Sequence, residues 1–201
     1  MRIIAGEFRS RTLQAPSGLA TRPTTDRLRE TLFNVLAPRT RDAAFLDLYA
    51  GSGAVGIEAL SRGAASVEFV ERAPAALKVL HANLAKLGLT AGFRVHTVGV
   101  SAWLRKLAKG PGAGVKPAAH PAFDLVFLDP PYEAAEEYAA TLGLLGSAEH
   151  SLLAPGALVI AEHRRKQRLA ERYGELSRVR LLEQGDAALS FYAASPQSTG
   201  E

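Results

Sequence analysis

Along the chain, apolar positions recur first at helical spacing and then at strand spacing, over and over. Residues 1–15 alternate around a turn at Ala5-Gly6-Glu7, which predicts a short hairpin. Residues 24–37 read as a helix with Leu28, Leu32, Val35 and Leu36 on one face. Thr24, Thr25 or Asp26 would cap it, and Pro38 is expected to end it. Short buried strands are then expected at 44–49, 66–71, 93–98, 123–128 and 157–161. Helices are expected from Gly53 to about Arg62, at 74–87 (ended by Gly88), 102–109 and 134–145, with a basic helix at 164–172. Residues 110–121 read as a surface loop rich in Gly, Pro and Ala. Two strands at 176–183 and 187–193 close around Gln184-Gly185-Asp186, and a frayed tail follows from Ser195.

Strands alternating with helices imply a parallel α/β sheet covered on both faces. The last two strands have no helix between them, so they are expected as an antiparallel pair at one edge. This makes a mostly parallel, seven-stranded, Rossmann-like sheet. The expected organisation is an N-terminal extension of hairpin and helix (1–41), one α/β domain (42–194) and a disordered tail (195–201). In such sheets ligands sit beyond the carboxyl ends of the strands.

Charge sharpens the division. The whole chain of 201 residues carries +4. Residues 1–41 hold eight arginines against Glu7, Asp26 and Glu30, a surplus of five, which leaves −1 for the rest. A basic arm on a near-neutral body points to a polyanionic partner, nucleic acid first. Cysteine is absent, which removes disulfides, thiolate metal sites and cysteine nucleophiles. The five histidines show no metal-ligand spacing, and no metal is expected. The N-terminal residues carry charge where a leader would need an apolar run, so the cytoplasm is the expected compartment. Oligomeric state is not legible, and a monomer is the default.

Two loops carry chemistry. The first, Asp47-Leu48-Tyr49-Ala50-Gly51-Ser52-Gly53-Ala54-Val55-Gly56, joins a strand to a helix. Its glycines permit a tight turn and close backbone approach to a ligand. They also satisfy the dinucleotide pattern G-x-G-x-x-G, a weak signal alone. Asp47 decides between ligands. A carboxylate four residues before the first glycine would repel a pyrophosphate and suits an ammonium group. Glu71, at the end of the second strand, could accept hydrogen bonds from a ribose diol. The second loop is Asp129-Pro130-Pro131-Tyr132, directly after the fourth strand. Its prolines stiffen the turn and remove donors. The Asp129 carboxylate and the Pro130 carbonyl remain as acceptors for an exocyclic amine, with the Tyr132 ring to stack on its base.

D-x-x-x-G-x-G resembles the first motif of class I S-adenosylmethionine-dependent methyltransferases, and D-P-P-Y the signature of amino-methyltransferases. With Arg2-Ile3-Ile4-Ala5-Gly6, the stretch Arg22-Pro23-Thr24-Thr25-Asp26-Arg27-Leu28-Arg29-Glu30-Thr31-Leu32-Phe33-Asn34 and Glu58-Ala59-Leu60-Ser61-Arg62-Gly63, the chain resembles the RsmD family of bacterial 16S rRNA guanine-N2 methyltransferases. The resemblance runs from Arg2 to about Tyr192.

It implies a class I methyltransferase fold and S-adenosylmethionine as cofactor. Asp47, Tyr49, Ala50, Gly51, Gly53, Glu71, Arg72, Gly99, Val100 and Asp129 would bind that cofactor. Asp129, Pro130 and Tyr132 would position guanine N2. Arg2, Arg9, Arg11, Arg22, Thr24, Arg27 and Arg29 would contact 16S rRNA, within the 30S subunit or a late assembly intermediate. One position departs from the family. Where it commonly has an Asp or Asn after the third strand, this chain has Gly99, with Ser101 as the nearest polar side chain. The rival readings are a DNA adenine-N6 methyltransferase, which about 200 residues leave little room for, an NAD-dependent oxidoreductase, which Asp47 opposes, and a non-catalytic rRNA-binding assembly factor.

Overall fold

The computed structural model describes residues 1–15, 25–108, 122–131, 134–147 and 152–194. The expected loop at 110–121 and tail at 195–201, with Arg22, Thr24 and Tyr132, lie outside them.

The alternating periods fold into strands β1 (Ala44–Leu48), β2 (Ser66–Glu71), β3 (Phe93–Thr97), β4 (Phe123–Leu128), β5 (Leu153–Arg164), β6 (Arg172–Tyr173), β7 (Leu176–Gln184) and β8 (Ala187–Ala194). The helices are α1 (Asp26–Thr40), α2 (Ala54–Ser61), α3 (Pro74–Lys86), α4 (Val100–Ala108) and α5 (Ala135–Leu145). All the strands join one sheet in the order β3-β2-β1-β4-β5-β8-β7-β6. The first five are parallel, and β8 and β7 add antiparallel. Each central strand sends alternate residues to opposite faces. Phe45, Phe69 and Phe127 pack with α1, α2 and α3. Leu46, Val70 and Leu128 pack with α4 and α5. Among the described residues, no helix is long and apolar enough to cross a membrane.

Three expectations are corrected. The basic helix at 164–172 does not form. β5 runs on to Arg164 because β8 pairs with it as far as Arg164↔Ala187, and the ladder outweighs local helix preference. Arg172 and Tyr173 then make the two-residue β6, so the sheet has an eighth strand. Pro38 does not end α1, which continues to Thr40. Proline in the last turn costs one helical donor, and Thr40 Oγ1 adds a 3.0 Å bond to the Leu36 carbonyl.

The N-terminal arm closes on a single bridge, Arg2↔Thr12, rather than on strands. Its expected turn is used for docking instead. Gly6 lies so close to α2 that a Cβ there would stand 1.7 Å from the Ser61 carbonyl oxygen. The Glu7 amide donates to that oxygen (2.8 Å), and the Ser61 hydroxyl takes the Phe8 amide (3.0 Å).

Candidate active site

Strand order reverses between β1 and β4, and the carboxyl ends of β1, β2 and β4 open into a cleft of about 540 Å³. This is where a doubly wound sheet binds its ligand. Of the expected cofactor residues, Asp47, Tyr49, Ala50, Gly51, Glu71, Arg72, Gly99, Val100 and Asp129 all line it. Gly53 does not. It caps α2 at φ 78°, and a Cβ there would stand 2.3 Å from Leu80 Cδ1. Pro130 is buried and does not line the cleft, while Pro131 does.

The glycine loop is shaped by left-handed backbone at Tyr49 (φ 60°), Gly51 (φ 56°) and Gly53 (φ 78°). Tyr49 pays for this conformation with its side chain. Its hydroxyl meets Glu137 Oε2 at 2.9 Å and Thr141 Oγ1 at 2.7 Å. Glu71 is held by three backbone amides: Gly51 at 2.9 Å, and Arg72 and Ala73 at 2.7 Å each. The carboxylate expected to meet a ribose is therefore fixed across the mouth of the glycine loop.

Asp47 is buried and accepts one hydrogen bond among the described residues, from the Gly56 amide at 2.9 Å. Burial pushes its carboxyl up to about 8. The Gly56 bond works against that rise, and the charge of Glu71 adds to it. Asp129 is also held well above the ordinary carboxylate range, first by burial, then by Glu162 and Asp47. Each of these groups gains from a cation beside it. With Glu71 and Glu137, the cleft presents four carboxyl groups against Arg72 and Arg105. A ligand carrying an ammonium and a sulfonium fits such walls, and a pyrophosphate does not.

The arm's arginines divide. Arg2, Arg9, Arg11 and Arg27 are exposed, and Arg2, Arg9 and Arg27 share a second polar cleft of about 400 Å³ with Asp26 and Glu30. Arg29 is corrected. Its guanidinium is fully buried, pairs with Asp26 (3.0 Å) and Glu58 (3.7 Å), and donates to the Arg2 carbonyl. It cannot reach a phosphate. The signal was present in the sequence: Arg29 stands four residues before Phe33 and seven before Leu36, on the buried flank of α1.

Sequence reasoning also passed over Glu58, Asn83 and Glu137. Glu58 is a lone carboxylate in an otherwise apolar helix, a pattern that marks a buried partner. Asn83 takes the Gln14 amide (2.8 Å) and donates to the Ser52 carbonyl (2.9 Å), tying the arm to the glycine loop. Glu137 comes from α5, 88 positions beyond Tyr49, and no local pattern announces it. His163 and Trp103 are core residues. His163 bonds Ser190 Oγ (2.9 Å) and the Arg164 carbonyl (2.9 Å).

A parallel sheet with this order, a glycine loop after β1, an acid closing β2 and an Asp-Pro-Pro turn after β4 define a class I methyltransferase fold. Within that class the chain belongs to the RsmD family, through the family model described as Conserved hypothetical protein 95, which matches residues 1–193. It is 36% identical to YlbH of Bacillus subtilis over 192 residues, 96% of this chain and 98% of that protein. It is 37% identical to Ribosomal RNA small subunit methyltransferase D of Haemophilus influenzae over 166 residues, 81% of this chain and 78% of that protein. The solved structure of yhhF from Escherichia coli superposes with a TM-score of 0.78 at 35% identity, covering 98% and 99% of the two chains.

Proposed function

We propose that this protein transfers a methyl group from S-adenosylmethionine to the exocyclic N2 of a guanine in 16S rRNA. Family membership supports rRNA methylation. The observation that carries the reading of the site is Asp129, a carboxyl group at the carboxyl end of β4 that faces the acidic cleft and meets no donor among the described residues.

When bound, S-adenosylmethionine supplies an electrophilic methyl group on sulfur. Asp47 and the Gly51 backbone would hold its amino-acid end, and Glu71 its ribose. Asp129 and the Pro130 carbonyl would accept the two N–H bonds of the target amine. That favours a pyramidal nitrogen with its lone pair free, where guanine N2 otherwise delocalises it into the ring. As positive charge grows on that nitrogen, the Asp129 carboxylate stabilises it. Positioning of this kind is worth roughly 7–11 kcal/mol in favourable cases. Arg2, Arg9, Arg11 and Arg27 would bind RNA phosphates, and Arg22, Thr24 and Tyr132 complete the reading as residues of the matching motifs. The division into a basic arm (1–41) and a catalytic domain (42–194) belongs to the same proposal.

The test is methyl transfer from labelled S-adenosylmethionine to unmodified 30S subunits, protein-free 16S rRNA and DNA, with the product nucleoside identified by mass spectrometry. N2-methylguanosine from 30S subunits is expected. N6-methyladenine from DNA would keep the Asp129 chemistry and overturn the substrate. Cofactor binding without transfer to any of the three would overturn catalysis.

A further inference from the structure

The cofactor reading leaves one need unmet. A 6-aminopurine presents an N–H₂ donor, and the position after β3 where the family commonly supplies an acceptor is Gly99. Among the described residues, a Cβ built there would meet nothing nearer than Arg72 Cδ at 3.9 Å. Val98, Val100, Ala102 and Ala134 make the adjoining wall apolar, as the faces of a purine require. Among the described residues one carboxylate closes this end of the cleft: Glu137, in the first turn of α5, the helix that follows the Asp-Pro-Pro loop.

Glu137 is held in place from two other elements. Tyr49, after β1, donates to Oε2 at 2.9 Å, and Ser101, in the first turn of α4, donates to the same oxygen at 3.3 Å. Both contacts fall on Oε2. The other oxygen, Oε1, accepts from no donor among the described residues. Tyr49 has left-handed backbone (φ 60°), and its hydroxyl also meets Thr141 Oγ1 at 2.7 Å. A carboxylate oriented by two hydroxyl donors, with an oxygen to spare at a cleft wall, is a ready acceptor for an amine.

We propose that Glu137 is the residue that selects adenine, accepting the exocyclic amine of S-adenosylmethionine in place of the side chain missing at Gly99, with Ser101 and Tyr49 fixing its orientation. This rests on the cofactor reading above and adds a specificity determinant to it. A carboxylate accepts from the amine of adenine but repels the carbonyl oxygen that replaces it in hypoxanthine. Glutamine keeps the shape and the acceptor for Tyr49, and brings an N–H₂ that hypoxanthine can use.

The experiment compares Kd for S-adenosylhomocysteine and its deaminated analogue, S-inosylhomocysteine, by calorimetry on the full chain. The wild type is expected to prefer the adenosyl form by about tenfold or more. Glu137→Gln should bring that ratio close to one or invert it, and Ser101→Ala should lower it by a smaller factor. The melting temperature of each free protein shows that the variants are folded. A wild-type ratio near one overturns the assignment without recourse to any variant. So does an unchanged ratio in both variants. Wild-type protein that binds neither compound overturns the cofactor reading, and this inference with it.

Discussion

Glu58 and Asp47 stand eleven positions apart, both buried, and they have opposite fates. Glu58 is surrounded by donors. It takes the amides of Ile4 (2.8 Å) and Ala5 (3.0 Å) and the Arg62 Nε (2.8 Å), with Arg29 Nε at 3.7 Å. These contacts lock the N-terminal arm onto α2. Asp47 has one amide and two acidic neighbours, and its carboxyl is pushed up to about 8. Asp129 meets no donor among the described residues, and burial with the charges of Glu162 and Asp47 likewise holds its carboxyl above the ordinary range. A buried carboxylate with all its partners supplied by the chain is part of the scaffold. One short of partners, at the wall of a cleft, is kept for a ligand. The difference teaches how to sort the charges of this molecule, and it fails if the two groups respond alike to mutation.

The largest effect is expected at the clamp. Glu58→Ala leaves Arg29 buried beside an uncompensated cavity and frees two arm amides. Loss of one partner of a buried ion pair costs about 3–5 kcal/mol, measurable by denaturant unfolding. Cofactor Kd in the surviving folded fraction should stay within a few-fold of wild type. A stability change below about 1 kcal/mol would mean that the clamp is dispensable.

Next comes Asp129→Ala, which should lower kcat by about 10²–10³-fold, the scale of losing one group that stabilises transition-state charge. Cofactor affinity should change little. The pH dependence follows from the direction of its shift. The folded protein holds the Asp129 proton above the ordinary carboxylate range, and the proposed role needs the ionised form. Methyl transfer should therefore rise with pH through a limb above that range. Asp129→Asn should abolish the limb, and a limb that survives would assign it elsewhere.

Asp47→Asn should do the reverse of Glu58→Ala and stabilise the empty protein. Because the folded group keeps its proton between pH 3.8 and about 8 while the unfolded group does not, stability falls as pH rises across that window. The gain from Asn is thus full above about pH 8 and vanishes below pH 3.8. Each kcal/mol should appear as about 2–4 °C in Tm. The same variant should weaken S-adenosylmethionine by about tenfold or more, as expected when a charged partner of its ammonium is lost. An Asn variant less stable than wild type at pH 8 would break the comparison.

The smallest effect separates the arginines. Arg2→Ala, Arg9→Ala or Arg27→Ala should each reduce the salt slope of rRNA binding by about 0.7–0.9. Arg29→Ala should leave the slope alone and lower Tm instead. Equal slopes for all four would return Arg29 to the RNA surface.

The glycine loop, Glu71 and the Asp-Pro-Pro turn were readable as a set because each is a short run at a strand end, and strand ends follow from local periodicity. The extension of β5 to Arg164 was not readable. Residues 164–172 carry helical spacing, but Arg164 is taken up by pairing with β8 and Arg172 by pairing with β7. Arg29 was misplaced because residue type names a charge without saying which face of the helix bears it. The Phe33 and Leu36 spacing held that information and was outweighed by the run of arginines. Glu137 was out of reach altogether, since its partners Tyr49 and Ser101 lie 88 and 36 positions away.

The chain by itself determined what depends on neighbours within a few residues: the alternation of strand and helix, the tight turns at Gly51 and Gly53, and the acids that close β1 and β2. Those features arise from backbone sterics and side-chain spacing, which act over a turn or a pleat. Tertiary structure alone decided which charges meet. Glu58 faces Ile4 across 54 positions, and Asp47 faces Glu71 through the folded sheet. Whether a carboxylate is scaffold or site depends on the donors and the water around it, and those are in place only once the layers have packed.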